Sequence, residues 1–134
     1  MKARYMMDTD TCIYLKNRRP PAIAERFRSL QWGEVVMSVI TFGELYNGAM
    51  KSQETTAALN NVNRLGERLP VQFLSVEVAK SYAIIRSSLE KKGAIIGGND
   101  LWIAAHAMTL DLTVITNNTK EFNRVENLRI ENWV

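Results

Sequence analysis

The sequence contains few of the residues that mark secreted or membrane proteins. Its 134 residues include one cysteine, Cys12, one histidine and three prolines. A single cysteine excludes a disulfide within the chain, and no apolar run approaches the ~18 residues that a membrane span requires. The start of the sequence also lacks the apolar core of a signal peptide. We therefore expect a cytoplasmic protein that does not enter a membrane.

The composition that is present is that of an ordinary globular protein. Hydrophobic residues make up 46% of the chain and charged residues 23%, with a formal net charge of +3. A chain of this length usually forms one core, and no linker, repeat or low-complexity segment divides it. We expect a single domain over residues 1–134. The mild positive charge permits nucleic-acid binding without requiring it.

Apolar and β-branched stretches predict four strands and a weaker fifth. They lie at residues 4–7, 35–39, 71–74 and 112–116, with the weaker one at 128–130. Between these strands, apolar residues recur at helical spacing. This spacing predicts one helix after Pro20-Pro21 and two more over residues 58–69 and 78–89. Strands that alternate with helices predict an α/β fold, here a three-layer α/β/α sandwich with a parallel central sheet of four to five strands.

Three acidic residues follow the predicted strands or open the helix that precedes one. Asp8 comes directly after the first strand, Glu44 follows the second, and Asp100 begins a helix in "IGGNDLWIAAHA". The carboxyl ends of parallel strands share one edge of the sheet, so these carboxylates are expected to converge there. Converging carboxylates repel one another unless a cation lies between them, and hard oxygen ligands suit Mg²⁺ or Mn²⁺.

Polar residues also follow the fourth predicted strand, in "TNNTKEF". They are Thr116, Asn117, Asn118 and Glu121. The two asparagines are equally well explained as turn residues. Glu121 is interpreted as a solvated turn residue more readily than as a ligand, so this segment is assigned a supporting role.

Helix capping offers a structural alternative for several of the acids. Asp10 is the predicted N-cap of the first helix. Glu44 stands three residues after Thr41, which is the spacing of a capping box. Asp100 suits the first turn of a helix capped by Asn99. Asp8 could also cap the next helix, but its functional interpretation is the hardest to dismiss, because a carboxylate at a buried strand end is costly without a partner.

Two residues that often serve in catalysis are predicted to lie outside the site. His106 is six residues after Asp100, about 240° around an ideal helix, and so faces away from it. Cys12 lies in a predicted helix next to Ile13, where a buried unreactive thiol is expected. The chemistry is therefore expected to depend on carboxylates.

The opening "DTDT" resembles the Asp-x-Asp-x-Thr signature of haloacid-dehalogenase-type phosphatases in its two aspartates. That resemblance implies that Asp8 is a phosphoryl-accepting nucleophile and Asp10 a general acid or base. The acidic loop of that family follows a hydrophobic strand, whereas "KKGAIIGG" predicts a loop broken by glycines. The chain is also short for that core and its substrate cap. We keep this as the alternative function.

Four segments in the same order more closely resemble the PIN-domain ribonucleases, in particular the VapC toxins of type II toxin–antitoxin pairs. These segments are "MMDTDTCIYL", "SVITFGELYNGAMKS", "IGGNDLWIAAHA" and "VITNNTKEF", and the resemblance covers essentially the whole chain. It implies that Asp8, Glu44 and Asp100 hold Mg²⁺, with Mn²⁺ as a substitute, and that Thr9 supports them. Many PIN domains have a further acid near Asn117 or Asn118, with Glu121 as the nearby alternative here. The amides imply one firmly held metal ion.

The resemblance also implies a reaction and partners. A metal-activated water attacks an RNA phosphodiester and leaves a 5′-phosphate and a 3′-hydroxyl. The expected substrate is a structured RNA, for which a transfer RNA cut in its anticodon region is the leading hypothesis. The expected assembly is a homodimer whose cognate antitoxin masks the site and supplies all DNA binding. A catalytically silent RNA-binding PIN domain is a further alternative, disfavoured because all three acids are present.

Overall fold

Residues 2–134, described by a computed structural model, form five strands and seven helices. Along the chain these are β1 (Tyr5–Met7), α1 (Thr9–Asn17), α2 (Pro21–Arg28), β2 (Val35–Ser38), α3 (Val39–Met50), α4 (Thr55–Arg68), β3 (Val71–Gln72), α5 (Val76–Lys91), α6 (Gly98–Leu110), β4 (Thr113–Ile115), α7 (Thr119–Phe122) and β5 (Ile130–Glu131). Among these described residues, no helix is both long enough and apolar enough to span a bilayer.

The five strands form one parallel sheet in the order β3-β2-β1-β4-β5. Met6 of the central strand pairs with Val36 on one side and Val114 on the other. The predicted α/β fold and parallel sheet are thus confirmed. The weak fifth strand is also present, shifted to Ile130–Glu131.

Alternate residues of the buried strands face two separate cores. Met6, Val36 and Val114 pack with residues of α5, α6 and α7. Tyr5 and Met7, one position away, pack with residues of α1, α2, α3 and α4 on the opposite face. Because side chains alternate along a strand, each face of the sheet is buried under its own helices. The three-layer sandwich follows from this arrangement.

Local signals set several helix boundaries. Pro21 occupies the first position of α2, where its missing N–H costs nothing. α5 ends at Lys91, and Gly93 then adopts a φ of 65° that favours glycine. The extended segment between Gly93 and α6 directs the chain back to the carboxyl edge of the sheet, where α6 begins.

Candidate active site

Asp8 leaves β1 at the carboxyl edge of the sheet and also caps α1. Its N–H continues the strand pairing by donating to the carbonyl of Ile115 at 3.0 Å. Its Oδ1 accepts from the Thr11 N–H at 2.9 Å, which makes Asp8 the N-cap. Asp10, predicted as that cap, is instead an exposed residue of the first helical turn. The prediction was wrong because the helix begins at Thr9, directly after the strand.

Burial makes the Asp8 carboxylate costly to ionise. The residue is only 3% exposed, and desolvation raises the pKa of its carboxyl above the ordinary value. Hydrogen bonds involving Thr116 and Thr11 partly oppose that rise, while the charge of Asp10 adds to it. A buried carboxylate of this kind is stabilised by a nearby positive charge.

Thr9 links Asp8's helix to the helix that carries Glu44. Its hydroxyl donates to Glu44 Oε1 and lies 3.2 Å from the hydroxyl of Thr41. The predicted capping box between Thr41 and Glu44 does not form, because α3 begins at Val39 and is capped by Ser38. Thr41 therefore lies inside the first turn, fully buried, and contacts Thr9 instead.

Asp100 lies in the first turn of α6, among the other acids. The N-cap of α6 is Gly97, not Asn99 as predicted, because the helix begins at Gly98, two residues earlier than that assignment requires. Burial raises the pKa of Asp100 to about 7, and the next cause in size is the charge of Glu121. The charges of Asp8, Glu44 and Asp10 raise the pKa further. Asp100 is therefore within electrostatic reach of every acid predicted for the site.

Glu121 is the acid that the sequence reading undervalued. It is half-buried in the short helix α7, and its two carboxylate oxygens accept from the Gly97 N–H and from Asn118 Nδ2. The interpretation of Glu121 as a solvated turn residue was wrong. A Cβ built on Gly97 would lie 3.5 Å from Glu121 Oε1 and 3.7 Å from Asp100 Oδ2, so this glycine lies against both carboxylates. We call Asp8, Glu44, Asp100 and Glu121 the acidic edge.

The remaining polar residues after β4 have different positions. Thr116 is fully buried, and its hydroxyl accepts from the Asn118 N–H at 2.8 Å. Asn117 is exposed, and its side-chain oxygen accepts from Asn132 Nδ2 at 3.2 Å. Of the two asparagines, only Asn118 contacts an acid of the edge.

The donor set of the acidic edge is chemically suited to a hard divalent cation. Its members are carboxylate oxygens with hydroxyl oxygens beside them, the ligand type that Mg²⁺ and Mn²⁺ prefer. Within residues 2–134, no three His, Cys, Asp or Glu side chains stand close enough together to make a ready ligand set. The carboxylates of Asp8, Glu44 and Glu121 accept hydrogen bonds from protein groups instead.

His106 is fully buried and makes no hydrogen bond to the acids. Its Nδ1 lies 2.8 Å from the hydroxyl of Ser38, the residue that caps α3. Its Nε2 makes no hydrogen bond of good geometry. Burial lowers the pKa of the imidazole, against a weaker opposing effect of the Phe73 backbone, and this favours the neutral ring. No pattern in the sequence indicated this contact between α6 and the start of α3.

Comparison with known proteins gives the family of the chain. Residues 5–128 match the PIN domain family, and the chain belongs to that family. Ribonuclease VapC1 of Haemophilus influenzae strain R2866 is 41% identical over 130 residues, which are 96% of this chain and 97% of that protein. A tRNA(fMet)-specific endonuclease VapC of Shigella flexneri is 36% identical over 97% of this chain and 98% of that protein. The resemblance to VapC toxins is thereby confirmed, and the phosphatase resemblance is set aside.

Solved structures of toxin–antitoxin complexes share the fold. The DNA-bound VapBC of Salmonella typhimurium superposes with a TM-score of 0.93 at 38% identity, covering 98% of this chain and 99% of that one. VapBC2 of Rickettsia felis, bound to a DNA fragment from its promoter, gives a TM-score of 0.91 at 35% identity over the full length of both chains.

Proposed function

We propose that this chain is a divalent-metal-dependent endoribonuclease and the toxin of a toxin–antitoxin pair. The observation that carries the proposal is that Asp100 lies within electrostatic reach of Asp8, Glu44 and Glu121, acids from three other segments of the chain. Burial raises the pKa of Asp100 to about 7, and the negative charges of the other acids add to that rise. A bound cation would offset those negative charges. The named ribonuclease relatives support the type of reaction.

The residues of the acidic edge are assigned separate tasks in this proposal. Asp8, Glu44 and Asp100 hold the metal ion, which we assign as Mg²⁺ with Mn²⁺ as a substitute. When bound, that ion neutralises phosphate charge and activates a water molecule. Thr9 orients Glu44 through its hydrogen bond, and Thr116 supports Asp8. Glu121, oriented by Asn118, is the acid best placed to serve a second ion once RNA phosphate supplies further ligands.

The proposed substrate is a structured RNA, with a transfer RNA cut in its anticodon region as the first choice. An unpaired loop can present its backbone to a shallow acidic site. The relatives of Shigella flexneri and Salmonella typhimurium that are named tRNA(fMet)-specific endonucleases support this choice. VapBC complexes among the structural neighbours support a cognate antitoxin as the partner that binds DNA.

The test is cleavage of total RNA by the purified chain, with and without Mg²⁺, followed by mapping of new 5′-phosphate ends. We expect a few discrete ends in transfer RNA, which disappear with a chelator and return when Mg²⁺ or Mn²⁺ is restored. Uniform cutting of unstructured RNA with transfer RNAs intact would contradict the substrate. RNA binding without any cleavage would instead identify a catalytically silent RNA-binding domain.

A further inference from the structure

A basic groove lies between the end of α1 and one face of α4. Lys16 and Arg18 line it from α1, and Asn61, Arg64 and Arg68 line it from α4. The groove encloses about 400 Å³, and no acidic side chain lines it. The spacing of residues 61, 64 and 68 places their side chains along one face of the helix. We call this the α1–α4 groove.

The four cations of the groove keep their charge available. Within residues 2–134, none of them forms an ion pair with an acidic side chain, whereas Arg4, Arg86 and Arg129 each do. Two of the groove's guanidinium groups are oriented by uncharged partners. Arg64 donates to Asn61 Oδ1, and Arg68 lies over the Phe27 ring at 5.0 Å from its centroid. Oriented, unneutralised guanidinium groups of this kind suit phosphate oxygens.

A nuclease with an acidic edge needs a separate basic surface to bind its RNA substrate. Its clustered carboxylates repel an RNA backbone, so the binding energy for a polyanion must come from elsewhere on the surface. α1 connects the two sites directly, because Asp8 caps its first turn and Lys16 lies in its last turn. Eight residues of helix separate them by about 12 Å. RNA phosphates on either side of the scissile bond lie within such a distance of it, so one RNA strand could contact both sites.

A neighbouring aromatic residue favours RNA over an acidic peptide as the ligand. Arg68 also lines a second concavity, together with Trp32 and Arg28. Trp32 is 70% exposed, and its indole is held by a hydrogen bond to the Glu67 carbonyl at 2.8 Å. An exposed ring beside a basic groove is a common arrangement for stacking an unpaired base.

We propose that the α1–α4 groove binds substrate RNA phosphates that flank the scissile bond and thereby positions the RNA at the acidic edge. This inference rests on the proposed endoribonuclease function. Contacts of this type fix the register of a nucleic acid and contribute affinity without reading sequence. The groove therefore affects binding and KM, while the acidic edge performs the chemistry.

The test compares two double variants with the same loss of charge. Arg64→Gln/Arg68→Gln removes two cations from the groove, and Lys2→Gln/Lys80→Gln removes two exposed cations elsewhere. Binding of bulk bacterial transfer RNA is measured against salt in an Asp100→Asn background, so that the RNA stays intact. The groove variant should lose about tenfold in affinity, and its log–log salt slope should fall by roughly 1.4–1.8. When the same groove substitutions are made in the protein that retains Asp100, KM for RNA cleavage should rise by a similar factor, and kcat should stay within about twofold of the wild-type value.

Each other outcome overturns one of the two proposals. If the wild-type chain cuts RNA and both double variants bind it equally well, the groove proposal is wrong and the ribonuclease function stands. If the groove variant binds RNA normally but escapes inhibition by the cognate antitoxin, the groove serves the antitoxin instead. If the wild-type chain cuts no RNA yet binds it through the groove, the ribonuclease proposal fails and the groove assignment stands.

Discussion

At the scale of single residues, the acidic edge combines burial with like charge. Asp8 is nearly inaccessible, and Asp100 carries a pKa of about 7 because burial and four neighbouring acids disfavour its ionised form. Such a site is destabilising for an empty protein and favourable for one that holds a cation. Substitution of these carboxylates, a change of pH and the binding of a metal ion are therefore all expected to change the stability or the activity of the protein.

Neutral substitutions of the proposed ligands are expected to abolish cleavage without unfolding the chain. Asp8→Asn, Glu44→Gln and Asp100→Asn should each lower kcat/KM for transfer RNA more than roughly 100-fold, because each removes the charge of a proposed metal ligand. The matched control is Asp111→Asn, since Asp111 is exposed and has a φ of 58° that asparagine tolerates. Full activity of a folded, metal-loaded Asp100→Asn variant would remove Asp100 from the site.

The stability of the metal-free protein should fall as the pH rises toward neutrality. Asp100 holds its proton to about pH 7 in the folded state, against 3.8 as its ordinary value. Between about pH 4 and pH 7 the folded state binds a proton that the unfolded state has released, so the free energy of unfolding declines over that range and levels above it. We expect a decline of roughly 1–2 kcal/mol after allowance for solvent screening.

Urea unfolding at several pH values checks this expectation. The decline should be smaller in Asp100→Asn, which retains only the raised pKa of Asp8. Saturating Mg²⁺ should suppress the decline in the wild type because metal and proton compete for the same carboxylates. A wild-type curve parallel to that of Asp100→Asn between pH 4 and pH 7 would show that Asp100 titrates normally.

At the scale of elements, the first turns of α3 are held in place by contacts with α6 and with α1. Ser38 caps it, and the Ser38 hydroxyl also contacts His106 of α6 across the core. Thr41 and Glu44 follow within the next turns and meet Thr9 of α1. His106 is therefore a structural residue that helps to position the helix carrying Glu44.

His106→Ala is expected to destabilise the protein more than it alters catalysis. It opens a cavity and removes one of the two hydrogen bonds of the buried Ser38 hydroxyl, which keeps only its capping bond from the Ile40 N–H, at a cost of about 2–4 kcal/mol. At a temperature where the variant stays folded, kcat should remain within about threefold of wild type. A double-mutant cycle with Ser38→Ala should give a coupling of about 1 kcal/mol. Strict additivity of the two changes would rule out the interaction.

The periodic elements were predictable from sequence, whereas the caps and one acid were not. Buried parallel strands are short apolar runs, and the helices over residues 58–69 and 78–89 show clear spacing. Asp8 and Asp10 are both good capping residues, and the choice between them depends on where β1 stops pairing with Ile115. Glu121 is half-buried, and its carboxylate accepts from the N–H of Gly97, 24 residues away, a contact that leaves no local pattern. The paired glycines of "IGGND" were the one available signal of close approach.

At the scale of the whole molecule, several apolar side chains lie outside both cores. Phe73 is 81% exposed, and Val76 and Ile84 are each 71% exposed. Scattered exposed apolar residues are common, but three on or beside one helix suit a subunit contact. This agrees with the homodimer that the family resemblance implies, which stays a prediction.

Light scattering should therefore give twice the 15.2 kDa mass of one chain. Ile84→Asp should shift the protein toward monomer, because a buried unpaired carboxylate is strongly unfavourable at an apolar interface. Leu110→Asp, a similar change at another exposed position, should leave the mass unaltered. A wild-type protein that is monomeric at high micromolar concentration would contradict the expectation.

The strand order also bears on when the protein becomes active during its synthesis. β1 is the first strand to be translated but occupies the centre of the sheet, with β4 as one of its neighbours. A nascent chain that has emerged only through α4 contains Asp8 and Glu44 but lacks Asp100, Glu121 and the strand that completes the edge. Domains fold as units during translation, so a ribosome carrying this partial chain presents no assembled nuclease to the RNAs around it.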